Sequence, residues 1–135
     1  MNRLKGTIQA VVTDKDISLV TILAAGEIFS ALVIDTPQTA GYLMPNQEID
    51  MVFKETEMSI GKNLTGSLSL RNRFAATIKE ISAGKILSRI DLDFKGHPLC
   101  AIITSQSVVA LNLTVGDNVV GLVKTNEVSL MEATI

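Results

Sequence analysis

Three short segments in the second half of the chain hold hydrogen-bond donors suited to an anion. Arg71 and Lys124 supply positive charge, and hydroxyl-bearing residues accompany them in segments that contain no Asp or Glu. Because charge-assisted hydrogen bonds contribute about 1.5–3 kcal/mol each, such donors together can bind a small tetrahedral oxyanion. The candidate ligands of that anion are Ser69, Arg71, Asn72, Thr104, Ser107, Lys124 and Thr125.

Each of these residues also has an ordinary structural explanation. An isolated Arg71 is most often a solvated surface charge. Thr104 and Ser107 are residue types that cap helices, and Lys124 is a residue type that protects the edge of a sheet. On the residues alone, both interpretations stay open.

The remaining reactive side chains give little support for catalysis. His97, the one histidine, stands beside Pro98 in a predicted hairpin turn, so a metal site is not expected there. Cys100 falls in an apolar segment, which predicts a small buried residue rather than a nucleophile. The glycine spacing of segment 61–67 partly resembles a phosphate-binding loop, but the lysine that should precede Ser67 is missing. We therefore expect a binding protein with no enzyme activity and no directly ligated metal.

Composition narrows the class of protein. Of 135 residues, 47% are hydrophobic and only 19% are charged, and the net charge is −2. A negative chain is not expected to bind nucleic acid, which requires a basic surface. One cysteine, with no apolar signal or membrane-spanning segment, indicates a cytoplasmic protein that does not enter a membrane. So few charges on so apolar a chain predict that extra surface is buried in a homo-oligomer.

The chain repeats itself at an interval of 70 residues without a gap. NRLKGTI at residues 2–8 aligns with NRFAATI at 72–78, and further matches extend to Ser59 and Ser129. The polar stretch GKNLTGS at 61–67 is typical of a short linker. We therefore expect two modules, at residues 1–62 and 63–135.

Both modules are predicted to be mainly β-structure. In the second, apolar residues alternate with polar ones from Ile86 to Phe94, as in a half-buried strand, and Thr104 or Ser105 can cap a short helix. The order β-β-β-α-β-β predicts two tandem small barrels of the oligonucleotide/oligosaccharide-binding (OB) type, each with one short helix. The predicted elements of the second module are strands at 86–94, 99–104, 118–124 and 127–131, a turn at 95–98 and a helix at 105–113.

The second module resembles the molybdate-binding Mop modules, also called TOBE domains. Their signature is a Ser-Ala-Arg-Asn opening, a Thr-x-x-Ser at the helix start, a Leu-x-x-Gly-Asp loop and a late Lys. The matching residues here are Ser69-Leu70-Arg71-Asn72, with Leu in place of Ala, Thr104 with Ser107, Leu113 to Asp117, and Lys124 followed by Thr125.

The resemblance implies a ligand and an assembly. The ligand is molybdate, or tungstate in second place, with no organic cofactor. The tandem arrangement is similar to molybdenum storage proteins and to the sensing half of molybdate-responsive regulators. It implies a homo-oligomer, a dimer or a trimer, with the anion held where modules meet. Contact with nucleic acid would require a DNA-binding domain that is absent from this sequence.

The first module departs from the family pattern, so we expect it to keep the barrel without a complete site. A TOBE-like barrel that binds no ligand and only holds subunits together is the second interpretation. An oligonucleotide-binding barrel is the third, and the scarcity of aromatic residues, 4%, disfavours it. The first-module residues at four site positions are Met1, Ile34, Pro37 and Lys54, aligned in that order with Arg71, Thr104, Ser107 and Lys124.

Overall fold

The repeat in the sequence reappears as a repeat of structure. A computed structural model describes residues 1–133, and each half of it has three strands, a connecting segment, a fourth strand, one turn of 3-10 helix and a short last strand. The first half contains β1 (Asn2–Asp14), β2 (Ile17–Ala24), β3 (Glu27–Val33), β4 (Glu48–Phe53) and β5 (Ser59–Gly61). The second half contains β6 (Asn72–Ala83), β7 (Leu87–Phe94), β8 (His97–Thr104), α1 (Ser105–Ala110), β9 (Asn118–Val123) and β10 (Ser129–Glu132). The 3-10 turns are Glu55–Glu57 and Thr125–Glu127.

The predicted strand β7 is confirmed, with two local corrections. Its inward side chains from Ser88 to Phe94 are buried, but Ile86 precedes the strand and is 73% exposed. The turn after β7 is shorter than predicted because Lys95 and Gly96 both adopt positive φ, which makes a tight two-residue hairpin. His97 is therefore the first residue of β8, paired with Phe94, and it is exposed.

An α-helix forms in the second half only, among the residues that the structure describes. It ends at Ala110, three residues earlier than predicted, and Asn112 just beyond it has a φ of 50°. The prediction of one such helix in each barrel is wrong for the first half. There Ile34 cannot cap, and Pro37 disfavours a helical conformation at Thr36. The backbone N–H of Ala40 donates to the Thr36 carbonyl instead, as part of an irregular turn.

The two halves exchange their last strands. One sheet has the order β10-β4-β1-β2-β3 and the other the order β5-β9-β6-β7-β8. Each sheet thus takes four strands from one half and its fifth strand from the other. The prediction of a mainly β fold with two OB-like barrels is confirmed. The division at residues 62 and 63 stays a prediction about the repeat, since the sheets themselves share strands across it.

One hydrophobic core joins the halves. Phe29 stacks on Phe74 with ring centroids 4.6 Å apart, and Phe53 and Phe94 also pack against Phe74. These four rings come from β3, β4, β6 and β7, and all are nearly inaccessible to solvent. Cys100 is buried as predicted, and this burial raises the pKa of its thiol. Within residues 1–133, no helix is both long and apolar enough to cross a membrane.

Candidate oxyanion-binding site

Arg71 and Lys124 lie side by side at one end of the β6–β9 pair. The last paired residues are Asn72 and Val123, and Arg71 and Lys124 are the next residues on these antiparallel strands. Both are exposed, and neither enters any ion pair within residues 1–133. The fold therefore places two adjacent positive charges on the surface without a carboxylate partner.

The segment before Arg71 is held in place by Arg73, which the sequence analysis did not identify. Arg73 Nε donates to the carbonyl of Leu70 at 3.1 Å, and Nη2 donates to the carbonyl of Leu68 at 3.1 Å. These bonds fix the exposed residue between them, Ser69. The sequence did contain a signal for Arg73. It lies two positions after Arg71, and residues two apart along an extended chain project from the same face.

Asn72 is placed inside the protein rather than on its surface. It is fully buried, its Oδ1 accepts from the N–H of Ser30 at 2.8 Å, and its Nδ2 donates to the carbonyl of Ser30 at 2.8 Å. Both polar atoms of the amide are thus paired with β3 of the first half. Asn72 therefore ties the residue next to Arg71 to β3, and its direct contact with an anion stays a prediction.

Thr104 and Ser107 form a second polar pair at the start of α1. Thr104 Oγ1 accepts from the backbone N–H of Ser107 at 3.1 Å, and the two hydroxyl oxygens are 2.8 Å apart. Ser105 anchors this turn, because its hydroxyl donates to the Gly84 carbonyl at 2.6 Å and its backbone N–H donates to the Ile86 carbonyl. Of the two residues predicted as possible N-caps, Thr104 and Ser105, the structure has Thr104 in that position.

Within one chain the two pairs are separated. Arg71 immediately precedes β6, whereas Thr104 pairs with Leu87, beyond the other end of β6. Thr125 belongs with the first pair, since it follows Lys124 in the 3-10 turn that packs against β3. The structure therefore brings Arg71, Lys124 and Thr125 together and keeps Thr104 and Ser107 at the opposite end of β6.

The first half has a different charge at the equivalent place. Glu55 stands where Thr125 stands, and its Oε1 lies 2.7 Å from the Met1 ammonium, a hydrogen bond that lowers the pKa of Glu55. A cavity of about 230 Å³ beside Lys54 is also lined by Glu57 and Glu127. Glu55 puts a carboxylate where the second half has an uncharged threonine, so the geometry agrees with a site that is incomplete in the first half.

The Gly-Asp loop of the second half is a structural brace. The carboxylate of Asp117 accepts from Lys62 Nζ at 2.9 Å, from the Thr114 N–H at 2.9 Å and from the Thr114 hydroxyl at 3.0 Å. These hydrogen bonds, that of Lys62 first, lower the pKa of Asp117. Lys62 also donates to the Asn112 carbonyl at 2.8 Å, so the linker is tied to this loop.

The second half has a recognisable sequence family. Residues 68–130 match the TOBE domain family, over the segment that carries Ser69, Arg71, Thr104 and Lys124. The second half of the chain is therefore similar to TOBE domains. The resemblance deduced from the sequence is confirmed.

Proteins with similar sequences include molybdenum import ATP-binding proteins. The molybdenum import ATP-binding protein ModC of Brucella abortus (strain 2308) is 34% identical over 83 residues, which are 61% of this chain and 23% of that protein. ModC of Brucella suis biovar 1 (strain 1330) matches to the same extent. The chain thus spans about a quarter of the length of the curated relatives that it matches.

Among solved structures, the whole chain resembles a protein with two such modules. It matches the cytoplasmic molybdate-binding protein ModG, in a crystal form with molybdate bound, with a TM-score of 0.92 and 25% identity over 98% of this chain and 96% of that one. A molybdate-binding protein from Sporomusa ovata is 43% identical over 52% of this chain and 100% of that one, with a TM-score of 0.46. The match to ModG covers both halves, so the two halves together form one tandem fold.

Proposed function

We propose that this chain binds molybdate, and tungstate in the same way, as a reversible ligand and without catalysis. The observation that carries the proposal is the adjacency of Arg71 and Lys124, two exposed cations with no carboxylate partner in a TOBE domain. The likeness of the whole chain to ModG, which holds molybdate, supports it. Such a ligand would serve molybdenum homeostasis in the cytoplasm, as a store or as the sensing part of a regulator.

The donor set favours molybdate over phosphate. Arginine, lysine and amide N–H groups donate hydrogen bonds and accept none, and hydroxyls complete the set. A fully ionised oxyanion such as molybdate satisfies these donors, whereas protonated phosphate brings an O–H that finds few acceptors. Sulfate is ionised but smaller, so it contacts fewer donors at once. Isothermal titration at pH 7 should therefore rank molybdate and tungstate together, above sulfate and phosphate.

The separation of the two donor pairs supports a site completed by a second chain. Arg71 and Lys124 would receive the ligand in one chain, while Thr104 and Ser107 of a neighbouring chain approach from the other side. A ligand that bridges chains binds only the associated state, so it shifts the equilibrium towards the homo-oligomer. Both a dimer and a trimer satisfy this arrangement.

Titration and sedimentation together test these proposals. Isothermal titration of the wild-type protein with molybdate should give a heat of binding. Loss or strong weakening of this binding in Arg71→Ala supports the binding function. Phosphate binding as tightly as molybdate would contradict the selectivity. If the protein is oligomeric and gives no heat with molybdate, the alternative holds, namely a TOBE barrel that only joins subunits. Sedimentation over a dilution series, with and without molybdate, checks the bridging site, and a monomer that binds one molybdate without a change in mass would refute it.

A further inference from the structure

The outer face of β1, β2 and β3 is apolar although it is exposed. Its centre is a row across three strands, because Val12 pairs with Leu19 and Leu19 pairs with Leu32. The side chains between the large ones are small and uncharged, since Ala10 pairs with Thr21, Thr21 pairs with Ser30, and Thr7 pairs with Leu23. We call this surface the first-half face. Its large side chains, 36–66% exposed, are Val12, Ile17, Leu19, Leu23, Ile28 and Leu32.

The second half provides an internal comparison for this face. Its equivalent strands have the same pairing, since Ser82 pairs with Arg89 and Arg89 pairs with Ile102. Yet the residues there that replace Ala10, Leu19, Thr21 and Leu23 are all charged, and the Arg89 and Asp91 side chains form an ion pair at 3.1 Å. The charged residues of the second-half surface are Glu80, Arg89, Asp91 and Asp93.

The comparison of the two halves shows that the apolar exterior is specific to the first half. The two faces belong to equivalent strands of the repeated fold, so the fold itself does not require an uncharged exterior. Asp14 stands at the rim of the first-half face, opposite Ile17 at the end of β1. The apolar area is on the order of 500 Å², the size of the largest apolar patch on a typical monomer, which is often a functional surface.

The occupant that fits this face is another copy of the same face. A contact with the second-half surface would bury Arg89, Asp91 and Asp93 against apolar side chains, which costs their hydration without supplying partners. Two first-half faces, packed as two sheets in a sandwich, bury apolar groups on both sides. Together they remove about 1,000 Å² from solvent, which reaches the lower limit for a specific interface.

We propose that two copies of this chain associate through their first-half faces about a two-fold axis. The contact is isologous, because each copy contributes the same residues. It does not involve Arg71, Lys124, Thr104 or Ser107, and it therefore forms without the anion. Whatever other contacts the protein makes, this one doubles the mass of the assembly.

A graft from the second half tests the proposal. Leu19→Arg, Thr21→Asp and Leu23→Asp together give β2 the charges of β7, which the same strand position already accommodates, including the Arg89–Asp91 ion pair. Mass is measured by sedimentation equilibrium at micromolar protein without molybdate, and circular dichroism checks folding. The triple variant should have half the mass of the wild-type protein. Leu19→Arg alone should weaken the association about tenfold or more, since one charge is then buried in each copy.

A control variant tests whether a charge added outside the first-half face also changes the mass. Val115 is an apolar residue outside the face, 63% exposed, so Val115→Arg adds the same charge elsewhere and should keep the wild-type mass. Equal masses for the wild-type protein and a folded triple variant, or a halved mass for Val115→Arg, would overturn the proposal. Because no anion is present and no proposed anion ligand is changed, failure here leaves molybdate binding untouched, and failure of molybdate binding leaves this contact untouched.

Discussion

Asn2 and Asn72 occupy equivalent positions in the two halves, and each binds the backbone of the other half. Asn72 is bonded to both the N–H and the carbonyl of Ser30. Asn2 makes the same two bonds with Cys100, at 2.8 Å to the N–H and 2.7 Å to the carbonyl. Ser30 and Cys100 are themselves equivalent residues, 70 positions apart. The halves are therefore joined by two reciprocal amide contacts at the outer edges of β3 and β8.

Removing one of these amides should weaken the whole fold. Asn72→Ala and Asn2→Ala each leave a buried N–H and a carbonyl without partners, and we expect each to lower the free energy of unfolding by about 2–4 kcal/mol. Urea denaturation followed by circular dichroism measures the change. Gln38→Ala, at an exposed position, is the control and should change stability by less than about 0.5 kcal/mol. A loss that small at Asn72 would show that the contact is not important for stability.

Thr104 allows the cap and the anion contact to be separated. Thr104→Val removes the bond to the Ser107 N–H and should cost about 1 kcal/mol of stability. Thr104→Asp keeps an N-cap acceptor but adds a negative charge, so its stability should stay near wild type. Its affinity for molybdate should fall at least about tenfold, because the carboxylate repels the dianion. Wild-type affinity in the Asp variant, by calorimetry, would remove Thr104 from the site.

The cations Arg71, Lys124 and Lys54 should differ in their effect on binding. Arg71→Ala and Lys124→Ala should each cost about 2–5 kcal/mol of molybdate binding, since each removes a charge paired to the ligand. Lys54→Ala should cost much less, because Glu57 and Glu127 line the cavity beside it. Calorimetric titration of the three variants makes the comparison. Equal losses at Lys54 and Lys124 would show that the first half binds the anion as well.

Asp117 should make the protein less stable in acid. Hydrogen bonds from Lys62 and Thr114 hold its pKa below the ordinary value of about 4. A carboxyl whose pKa is lower in the folded state stabilises the fold above its unfolded pKa, and this contribution is lost as pH falls through the folded pKa. The free energy of unfolding should therefore decline below about pH 4. Lys62→Met should raise the pKa of Asp117 in an NMR titration of the carboxyl, and an unchanged pKa would contradict the assignment.

The repeat made most of the topology predictable, because matching residues 70 apart adopt matching strands. The exchange of β5 and β10 was not predictable in the same way. Ser59-Ile60 and Ser129-Leu130 are so similar that either segment has the right pattern for either sheet. Only three-dimensional packing decides which sheet each one joins.

The site was predictable in its residue types rather than in its arrangement. The donor-rich segments indicated an anion. Asn72 and Ser69 were both predicted to be anion ligands, and nothing in the sequence indicated that Asn72 is buried. Its burial depends on Ser30, a contact 42 residues away that no local pattern encodes. The prediction of a helix in the first half was wrong for a local reason. Pro37 is evident in the sequence, and its ring disfavours the helical conformation of the preceding residue, Thr36.

The exchanged strands also constrain how the protein can be synthesised. β4 is complete once residue 53 is made, yet its partner β10 comprises residues 129–132. While the ribosome translates the intervening chain, that edge of β4 lacks its native partner and can associate with a neighbouring nascent chain. Pairing over so long a separation also slows folding. The first sheet is therefore completed only after residues 129–132 have been synthesised.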